Sequence, residues 1–267
     1  KRRPSYNPLI IHYKNLKQSK KDVIINDSFL KLYKAFCPGP ITFILKKNPK
    51  SKISIRATAK KDTIAVRFPK HKVARRLLSL LKVPLAAPSA NISSKLSPTS
   101  SNDVVDEFKN KIKFILDGSR SNIGLESTIV DLTNSPKILR SGSITPEKIS
   151  KILKKKIKIN KDTKKIKSPG QLKSHYSPGI PIKINSKIPK NNGAVVGFGK
   201  KFKDKKNHFN LSKNGNLNEA ANNLYKTLRK IKNSGFKSII VNKIPNIGIG
   251  IAINDRLKRA SNKWQLK

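Results

Sequence analysis

The sequence predicts an α/β protein in which a mixed, twisted sheet with helices is followed by a linker and a smaller α/β domain. Short β-branched runs alternate with helically spaced apolar residues in the first part of the chain. A lysine-rich stretch with Pro-Gly turns interrupts this pattern, and a strand, helix, strand, helix order follows it. We therefore predict a first domain over 1–153, a basic linker over 154–180 and a second domain over 181–267.

The strands of the first domain are predicted from runs rich in β-branched and aromatic residues. One strand ends near His12, and the others cover 41–45, 64–67, 114–117, 128–132 and 137–140. Helices are predicted after an Asp27-Ser28 cap and over 73–81, where apolar residues recur at helical spacing. Because the helices do not separate the strands at regular intervals, a mixed sheet is favoured over a doubly wound parallel one.

The linker is predicted from its composition, since 151–167 contains nine lysines in 17 residues and Pro-Gly turns follow at Ser168 and Ser177. Strands are predicted beyond it over 182–184, 194–198 and 236–241. The helix between the last two strands carries one apolar face, and Gly235 ends it; the face consists of Leu217, Ala220, Ala221, Leu224, Leu228 and Ile231.

The chain carries 60 Lys and Arg against 14 Asp and Glu, for a formal charge of +46. Of the basic residues 49 are lysines, which is typical of a solvated surface, although a field of this sign also attracts nucleotides and RNA.

One Cys excludes an intrachain disulfide, and no apolar stretch reaches the roughly 20 residues that span a bilayer. We therefore predict a cytoplasmic protein without membrane contact.

Four polar segments could carry chemistry. Cations precede two prolines in 1–9, and small residues with Ser and Asn donors in 84–99 suit an anion, although the Gly-Lys-Ser/Thr ending of a P-loop is missing. Hydroxyls, a carboxylate and an arginine between 124 and 142 suit a zwitterion beside a phosphate, and 168–178 holds His175-Tyr176 between two turns. The first three segments also have structural alternatives, which are in turn a basic terminus, a Ser/Pro turn and a strand entry with a surface arginine.

These segments, in this order, resemble the threonylcarbamoyl-AMP synthase family, whose first domain has the YrdC-like fold. The Ser-Pro-Gly and His-Tyr-Ser-Pro linker matches the longer form of the family, with a Rossmann-like second domain, and the resemblance covers nearly the whole chain. The motifs that carry it are Lys1-Arg2-Arg3-Pro4, Pro38-Gly39-Pro40-Ile41-Thr42, Val66-Arg67-Phe68-Pro69, Ser89-Ala90-Asn91 with Ser97-Pro98-Thr99, Gly124-Leu125-Glu126-Ser127-Thr128 and Leu139-Arg140-Ser141-Gly142.

The resemblance implies a nucleotidyltransferase that converts L-threonine, bicarbonate and ATP into threonylcarbamoyl-adenylate and pyrophosphate. Other proteins would then transfer the threonylcarbamoyl group to an adenosine of tRNA. Mg²⁺ would be held mainly through the ATP phosphates rather than by a metal site of the protein, and the catalytic residues stay unassigned. The alternative is a basic module on the same fold that binds double-stranded RNA or tRNA without catalysis.

Carried over by position, the resemblance assigns substrate contacts to two sets of residues. Arg67 is suited to the threonine carboxylate, and Tyr176 would make the linker a lid over the nucleotide, in a segment too polar to belong to a core. The first domain would then fold without the linker. The ATP contacts fall on Lys1, Arg3, Asn7, Ser89, Ser97, Arg140 and Tyr176, and the threonine contacts on His12, Arg67, Ala87 and Ser127.

The sequence departs from the family pattern at two places. Family members carry a strand and a Pro-Thr-x-Thr-x-Tyr-Gly-Leu segment that helps to hold threonine ahead of the Lys-x-Arg motif, where this sequence begins. Either the sequence is a fragment or the gene is truncated. If the gene is truncated, we expect an unpaired edge in the first sheet and a loss of catalysis. Ser94 stands where the family usually has glycine, so we expect a mildly strained left-handed backbone there.

Overall fold

A computed structural model of the 267-residue chain describes residues 3–160, 168–170, 174–186, 192–203 and 205–262. The chain forms two compact units. The seven-stranded unit comprises Arg2–Ser89 and Glu126–Leu172, and the four-stranded unit comprises Ala90–Leu125 and Lys173–Lys267. Within the described ranges, no helix has the length and apolar composition that crossing a membrane requires.

The sheet of the seven-stranded unit is mixed, with the order β4-β1-β3-β2-β5-β6-β7. Three neighbouring pairs are parallel (β1 with β3, β2 with β5, β6 with β7) and the other three are antiparallel. This arrangement confirms the predicted mixed sheet. The strands are β1 Ile10–His12, β2 Ile41–Lys46, β3 Thr63–Arg67, β4 Leu85–Ala87, β5 Thr128–Asp131, β6 Lys137–Arg140 and β7 Lys158–Ile159.

One face of this sheet carries the larger core of the unit. Alternate strand residues such as Ile11, Phe43, Val66 and Val130 are fully buried there, as the two-residue period of a strand requires. Phe29, from a helix that covers this face, packs edge-on against Phe43 with ring centroids 5.0 Å apart. The helices of the unit are α1 Leu16–Ser19, α2 Asp27–Phe36, α3 Ile55–Thr58, α4 Lys72–Leu80 and, after an interval, α6 Pro146–Leu153.

The N-terminus of α2 differs by one residue from the predicted Asp27-Ser28 cap. Asn26 is the capping residue, since its side-chain oxygen accepts a hydrogen bond from the backbone N–H of Phe29 at 2.9 Å. Asp27 instead lies in the first helical turn, where its negative charge favours the positive end of the helix. The cap is therefore Asn26, a residue type as well suited to that position as Asp or Ser.

The four-stranded unit contains a parallel sheet with the order β10-β9-β11-β8. Its long helix begins at the cap Asn216 and ends before Gly235, whose φ of +82° suits glycine, as predicted. The apolar face of this helix is buried against the sheet, which confirms a small α/β second domain. The elements are α5 Ser101–Phe108, β8 Ile182–Ile184, β9 Gly193–Gly197, β10 His208–Asn210, α7 Leu217–Asn233, β11 Ser238–Val241 and α8 Gly250–Ser261.

The strand predicted over 114–117 is wrong. The segment has no regular structure, and the side chains of Phe114 and Leu116 are 87% and 66% exposed. Its composition suits a strand, but a strand also needs a neighbour to complete its backbone hydrogen bonds. No strand pairs with this segment among the described residues.

Residues Ala90–Leu125 pack with the C-terminal part of the chain. Leu96 lies in the same buried cluster as Leu224. The Asn222 side chain donates to the carbonyl of Asn122 at 2.7 Å, and Gly124 lies so close to α7 that a Cβ there would be 2.5 Å from the Asn222 Cα. The expectation that the first domain folds without the rest stays a prediction, and this packing makes 90–125 the segment where it is in doubt. The ranges 1–153, 154–180 and 181–267 stay a prediction about domain boundaries.

A chain ending at Lys167 should lose structure in one place. It keeps the sheet of the seven-stranded unit, but residues 90–125 lose the packing that buries Leu96. We expect the amides of 101–108 to exchange with solvent at least about 100-fold faster than in the full chain, while those of β2 and β3 stay protected. Hydrogen exchange measured by mass spectrometry tests this, and equal protection of 101–108 in both chains would contradict it.

Candidate functional site

Strand pairing gathers the chemically useful side chains at one end of the seven-stranded sheet. His12 of β1 pairs with Arg67 of β3, Arg67 pairs with Thr42 of β2, and Thr42 pairs with Ile129 of β5. Ile129 in turn pairs with Arg140 of β6. Because paired residues point to the same face, His12, Arg67, Thr42 and Arg140 follow one row across the sheet.

The same face has an apolar floor beside this row. Ile10, Ala65, Ile44, Ile129 and Leu139 form a separate buried cluster, with exposures of 7% or less. Charged groups that border such a floor are partly removed from water, which strengthens their interaction with a ligand.

A chain of hydrogen bonds links Thr42, Ser127 and Arg140. The hydroxyls of Thr42 and Ser127 lie 2.8 Å apart, and the Arg140 Nη2 donates to the Ser127 Oγ at 3.0 Å. The Arg140 Nε donates to the Ser127 carbonyl, also at 3.0 Å. All three residues are buried, so the guanidinium and the hydroxyls hold fixed positions.

Arg67 is a cation without an acidic partner among the described residues. Burial, and then the neighbouring charge of Arg140, lower its pKa to about 10, so it stays charged at neutral pH. Its Nε is buried and has no hydrogen-bond partner within the described part of the chain. Buried N–H groups are nearly always paired, and two arginines close together repel each other. Both facts are explained if an anion binds between them.

His12 is neutral in this environment. Burial, and next the charge of Arg67, lower its pKa to about 4, although backbone hydrogen bonds to Ile10 and Leu85 act in the opposite direction. Its Nδ1 lies 3.1 Å from the Ile10 carbonyl. A neutral imidazole can accept a hydrogen bond from a bound hydroxyl or ammonium group.

The segment before β1 holds two more predicted residues. Arg3 donates through Nη2 to the carbonyls of Pro8 at 2.7 Å and Asn7 at 3.2 Å. The Arg3 Nε and the Asn7 Oδ1 are buried and have no partner among the described residues. These are the kinds of polar atoms that a ligand can satisfy. Lys1 lies outside the described residues.

Ala87 and Ser89 lie at the edge of the sheet rather than in the row of charged residues. Ala87 is the last residue of β4 and pairs with Ile10, two positions from His12 along β1. Both Ala87 and Ser89 are exposed. The structure therefore leaves both residues accessible at this edge of the sheet.

The four-stranded unit holds the two remaining predicted residues, Ser97 and Tyr176. Ser97 is 8% exposed and lies in the turn before α5. At Ser94, three residues earlier, φ is +69°, so the predicted left-handed backbone is confirmed.

Tyr176 belongs to a core, so the expectation that the linker is too polar for one is wrong. Its ring is 1% exposed, stacks on Tyr225 with centroids 5.9 Å apart, and lies 5.2 Å from the Arg256 guanidinium. These contacts hold Tyr176 at a φ of +62°, which is rare for an aromatic residue. Its polar neighbours in the sequence gave no sign of this packing.

The earlier turn of the linker is the part that reaches a predicted site residue in the seven-stranded unit. The Pro169 carbonyl accepts a hydrogen bond from the Arg140 Nη1 at 3.4 Å, and Ser168 is fully buried. The two turns of the linker therefore belong to different units, with 168–170 in one and 174–178 in the other.

Sequence reasoning missed Thr42 as a site residue. The available signal was a hydroxyl residue at the start of an apolar strand, directly after Pro38-Gly39-Pro40. Gly39 is required there because a Cβ would lie 2.1 Å from the Phe36 carbonyl oxygen. The turn therefore fixes where β2 begins and places Thr42 beside Ser127.

The described residues contain no group of three His, Cys, Asp or Glu that could hold a metal ion. Burial also raises the pKa of the Cys37 thiol to about 12, which disfavours a thiolate nucleophile at neutral pH. The arginines and hydroxyls of this arrangement are suited to binding anions and to neutralising negative charge.

Comparison with known proteins identifies relatives over nearly the whole chain. Residues 1–142 match a family model described as "Telomere recombination", and residues 144–262 match one described as "Threonylcarbamoyl-AMP synthase, C-terminal domain". The threonylcarbamoyl-AMP synthase of Pyrococcus abyssi is 37% identical over 98% of this chain and 82% of its own length, and that of Bacillus subtilis is 33% identical over 98% and 81%.

Solved structures give the same result for the fold. A crystal structure of P. abyssi Sua5 complexed with L-threonine superimposes with a TM-score of 0.86 at 33% identity. The match covers 97% of this chain and 82% of that one. The two-domain α/β fold predicted from the sequence is thereby confirmed.

The neutral His12 should make stability depend on pH. The pKa of His12 is about 4 in the folded chain and 6.5 in the unfolded chain. Between these pH values the unfolded chain therefore binds a proton on His12, and the folded chain does not. Stability therefore falls as the pH is lowered from about 6.5 towards about 4. In an NMR titration His12 should titrate near pH 4, and at higher pH in Arg67→Gln. Titration of His12 near pH 6.5 in the wild type would contradict the assignment.

Proposed function

The chain belongs to the threonylcarbamoyl-AMP synthase family, and we propose that it forms L-threonylcarbamoyladenylate and pyrophosphate from L-threonine, bicarbonate and ATP. The product would serve the N6-threonylcarbamoyladenosine modification of tRNA, through downstream proteins that transfer the threonylcarbamoyl group. The cytoplasmic location stays a prediction from the sequence.

The observation that carries the proposal is the pair of arginines, Arg67 and Arg140, in one row with Thr42, whose buried hydroxyl lies beside that of Ser127. No acidic side chain pairs with either guanidinium among the described residues, so the balancing charge must come from the ligand. The substrates supply it, since threonine, bicarbonate and the triphosphate all carry negative charge. An adenylation site needs this preorganised positive charge where the transition state develops negative charge.

The threonine end of the site is assigned to His12, Arg67, Ala87 and Ser127. Arg67 would bind the threonine carboxylate through charge-assisted hydrogen bonds. The neutral His12 would accept a hydrogen bond, and the Ser127 hydroxyl, held by Thr42 and Arg140, would orient a polar group of the amino acid or of its carbamate. The threonine amine and bicarbonate would condense to the carbamate with loss of water. Held in this way, a carbamate oxygen can attack the α-phosphorus of ATP as the bond from that phosphorus to the leaving pyrophosphate breaks.

The nucleotide contacts are assigned to Lys1, Arg3, Asn7, Ser89, Ser97, Arg140 and Tyr176. The unpartnered Arg3 Nε and Asn7 Oδ1 support this assignment, because a bound nucleotide would satisfy both. Because Tyr176 is buried in a core, we assign it the role of a fixed group rather than of a mobile lid. Arg140 would neutralise charge on the phosphates as pyrophosphate leaves.

Mg²⁺ would be held mainly by phosphate oxygens of ATP. The residues in the row are guanidinium, hydroxyl and imidazole groups, whereas Mg²⁺ prefers carboxylate and phosphate oxygens. The donor set of the protein therefore fits a metal that arrives with the triphosphate. When bound, the ion would supply charge neutralisation for the leaving pyrophosphate.

Loss of Arg140 should weaken ATP binding. We expect Arg140→Ala and Ser89→Ala each to lower ATP affinity by about 1 to 3 kcal/mol, because each removes a charged or hydroxyl contact to the nucleotide. Calorimetry measures the affinity, and Arg56→Ala is the matched control, since Arg56 is exposed and carries the same charge. Unchanged affinity in both site variants would remove these residues from the nucleotide site.

Amino-acid choice tests the threonine pocket. A pocket that hydrogen-bonds the threonine hydroxyl should reject valine, its near isostere, by about 100-fold or more, because buried polar groups would be left unpaired. Pyrophosphate release with each amino acid, in the presence of ATP and bicarbonate, measures the difference. Equal rates would refute the pocket. No pyrophosphate release with any amino acid would favour the alternative RNA-binding module, which lacks catalysis.

A further inference from the structure

The turn that contains Ser97 is held by a network around Asp103. Ser100 caps α5, and its hydroxyl accepts a hydrogen bond from the Asp103 N–H at 3.3 Å. The Asp103 Oδ2 accepts three hydrogen bonds in return, from the Thr99 N–H at 2.7 Å, the Thr99 hydroxyl at 3.0 Å and the Ser100 N–H at 3.2 Å. This reciprocal cap fixes the backbone directly after Ser97-Pro98.

A second contact reaches the same turn from α7, far along the chain. The Arg229 Nε lies 3.2 Å from the Asp103 Oδ1, and the Arg229 Nη2 donates to the Ser97 carbonyl at 3.3 Å. The Arg229 and Asp103 side chains are only 17% and 16% exposed. One guanidinium therefore joins the carboxylate that caps α5 to the backbone of Ser97, which a lysine could not do with the same geometry.

The helix that carries Arg229 is a rigid support. Its neighbours Leu228, Leu224 and Tyr225 are 1% exposed or less and belong to the main buried cluster of the four-stranded unit. Arg229 is therefore fixed by the core beneath it rather than by the turn that it contacts.

The charge state of Asp103 suits this role. Burial opposes its ionisation, but hydrogen bonds from Thr99, the charge of Arg229 and the Ser100 N–H together lower its pKa. The carboxylate is therefore ionised at neutral pH and can hold the turn and the guanidinium at once.

We propose that Arg229, acting through Asp103 and the Ser97 carbonyl, is a positioning residue for the nucleotide. This inference rests on the proposed function, in which Ser97 contacts ATP. Arg229 does not touch the substrate itself. It sets the orientation of the Ser97 turn, so that the C-terminal helix α7 contributes to ATP affinity without being part of the threonine pocket.

The test compares ATP and threonine binding in full-length variants by calorimetry, with Lys226→Ala as control. Lys226 is exposed on α7 and carries the same charge, so it corrects for the general attraction of ATP to a basic protein. We expect Arg229→Ala to weaken ATP binding by about 5- to 30-fold while threonine affinity changes less than about twofold. Arg229→Lys should recover part of the loss, and Lys226→Ala should behave as the wild type.

Two further variants separate positioning from general destabilisation. Asp103→Asn should weaken ATP binding as well, and Arg229→Ala should have a smaller effect in that background, because the two residues act together. If Arg229→Ala does not fold, Arg229→Lys and Asp103→Asn carry the same comparison. Equal losses of ATP and threonine affinity, or ATP affinity within about twofold of the wild type, would overturn the proposal. A wild-type protein that binds no ATP would instead refute the proposed function.

Discussion

Strand direction in the seven-stranded sheet decides which side chains can meet at the site. β1, β3 and β6 end where β2 and β5 begin, because parallel and antiparallel neighbours alternate across these five strands. His12 and Arg67 therefore leave their strands beside the residues that enter β2 and β5. In a purely parallel sheet the entering residues would lie at the opposite edge. The mixed topology thus brings together groups from segments more than 100 positions apart in the sequence.

The electrostatics of the site follow from this geometry. Two guanidinium groups lie close enough for Arg140 to lower the pKa of Arg67, and the hydroxyls between them cannot neutralise either charge. A site of this kind is held in place by the rest of the fold, since repulsion and unpaired N–H groups both cost stability. The larger core on the other face of the sheet supplies that support, with Phe29, Phe43 and Val66 fully or almost fully buried.

Local sequence patterns were sufficient for most strands and helices but not for their partners. The runs 41–45, 64–67 and 137–140 form strands because neighbouring strands complete their hydrogen bonds, whereas 114–117 has equally suitable residues and no neighbouring strand among the described residues.

The sequence motifs identified His12, Arg67, Ser127 and Arg140, which the structure brings to one end of the sheet. Thr42 was missed because its role comes from the neighbouring strand, and the burial of Tyr176 depends on Tyr225 and Arg256, which are distant in the sequence.

The packing of Ala90–Leu125 with the C-terminal part of the chain has a consequence for synthesis on the ribosome. Leu96 and Asp103 emerge from the ribosome long before their packing partners in α7 and α8, the second of which ends at Ser261. At about 5 to 20 residues per second, the ribosome needs on the order of 10 seconds to make the intervening chain. Throughout that interval the segment lacks the packing that buries Leu96, so slower elongation or an early stop leaves its apolar residues exposed for longer.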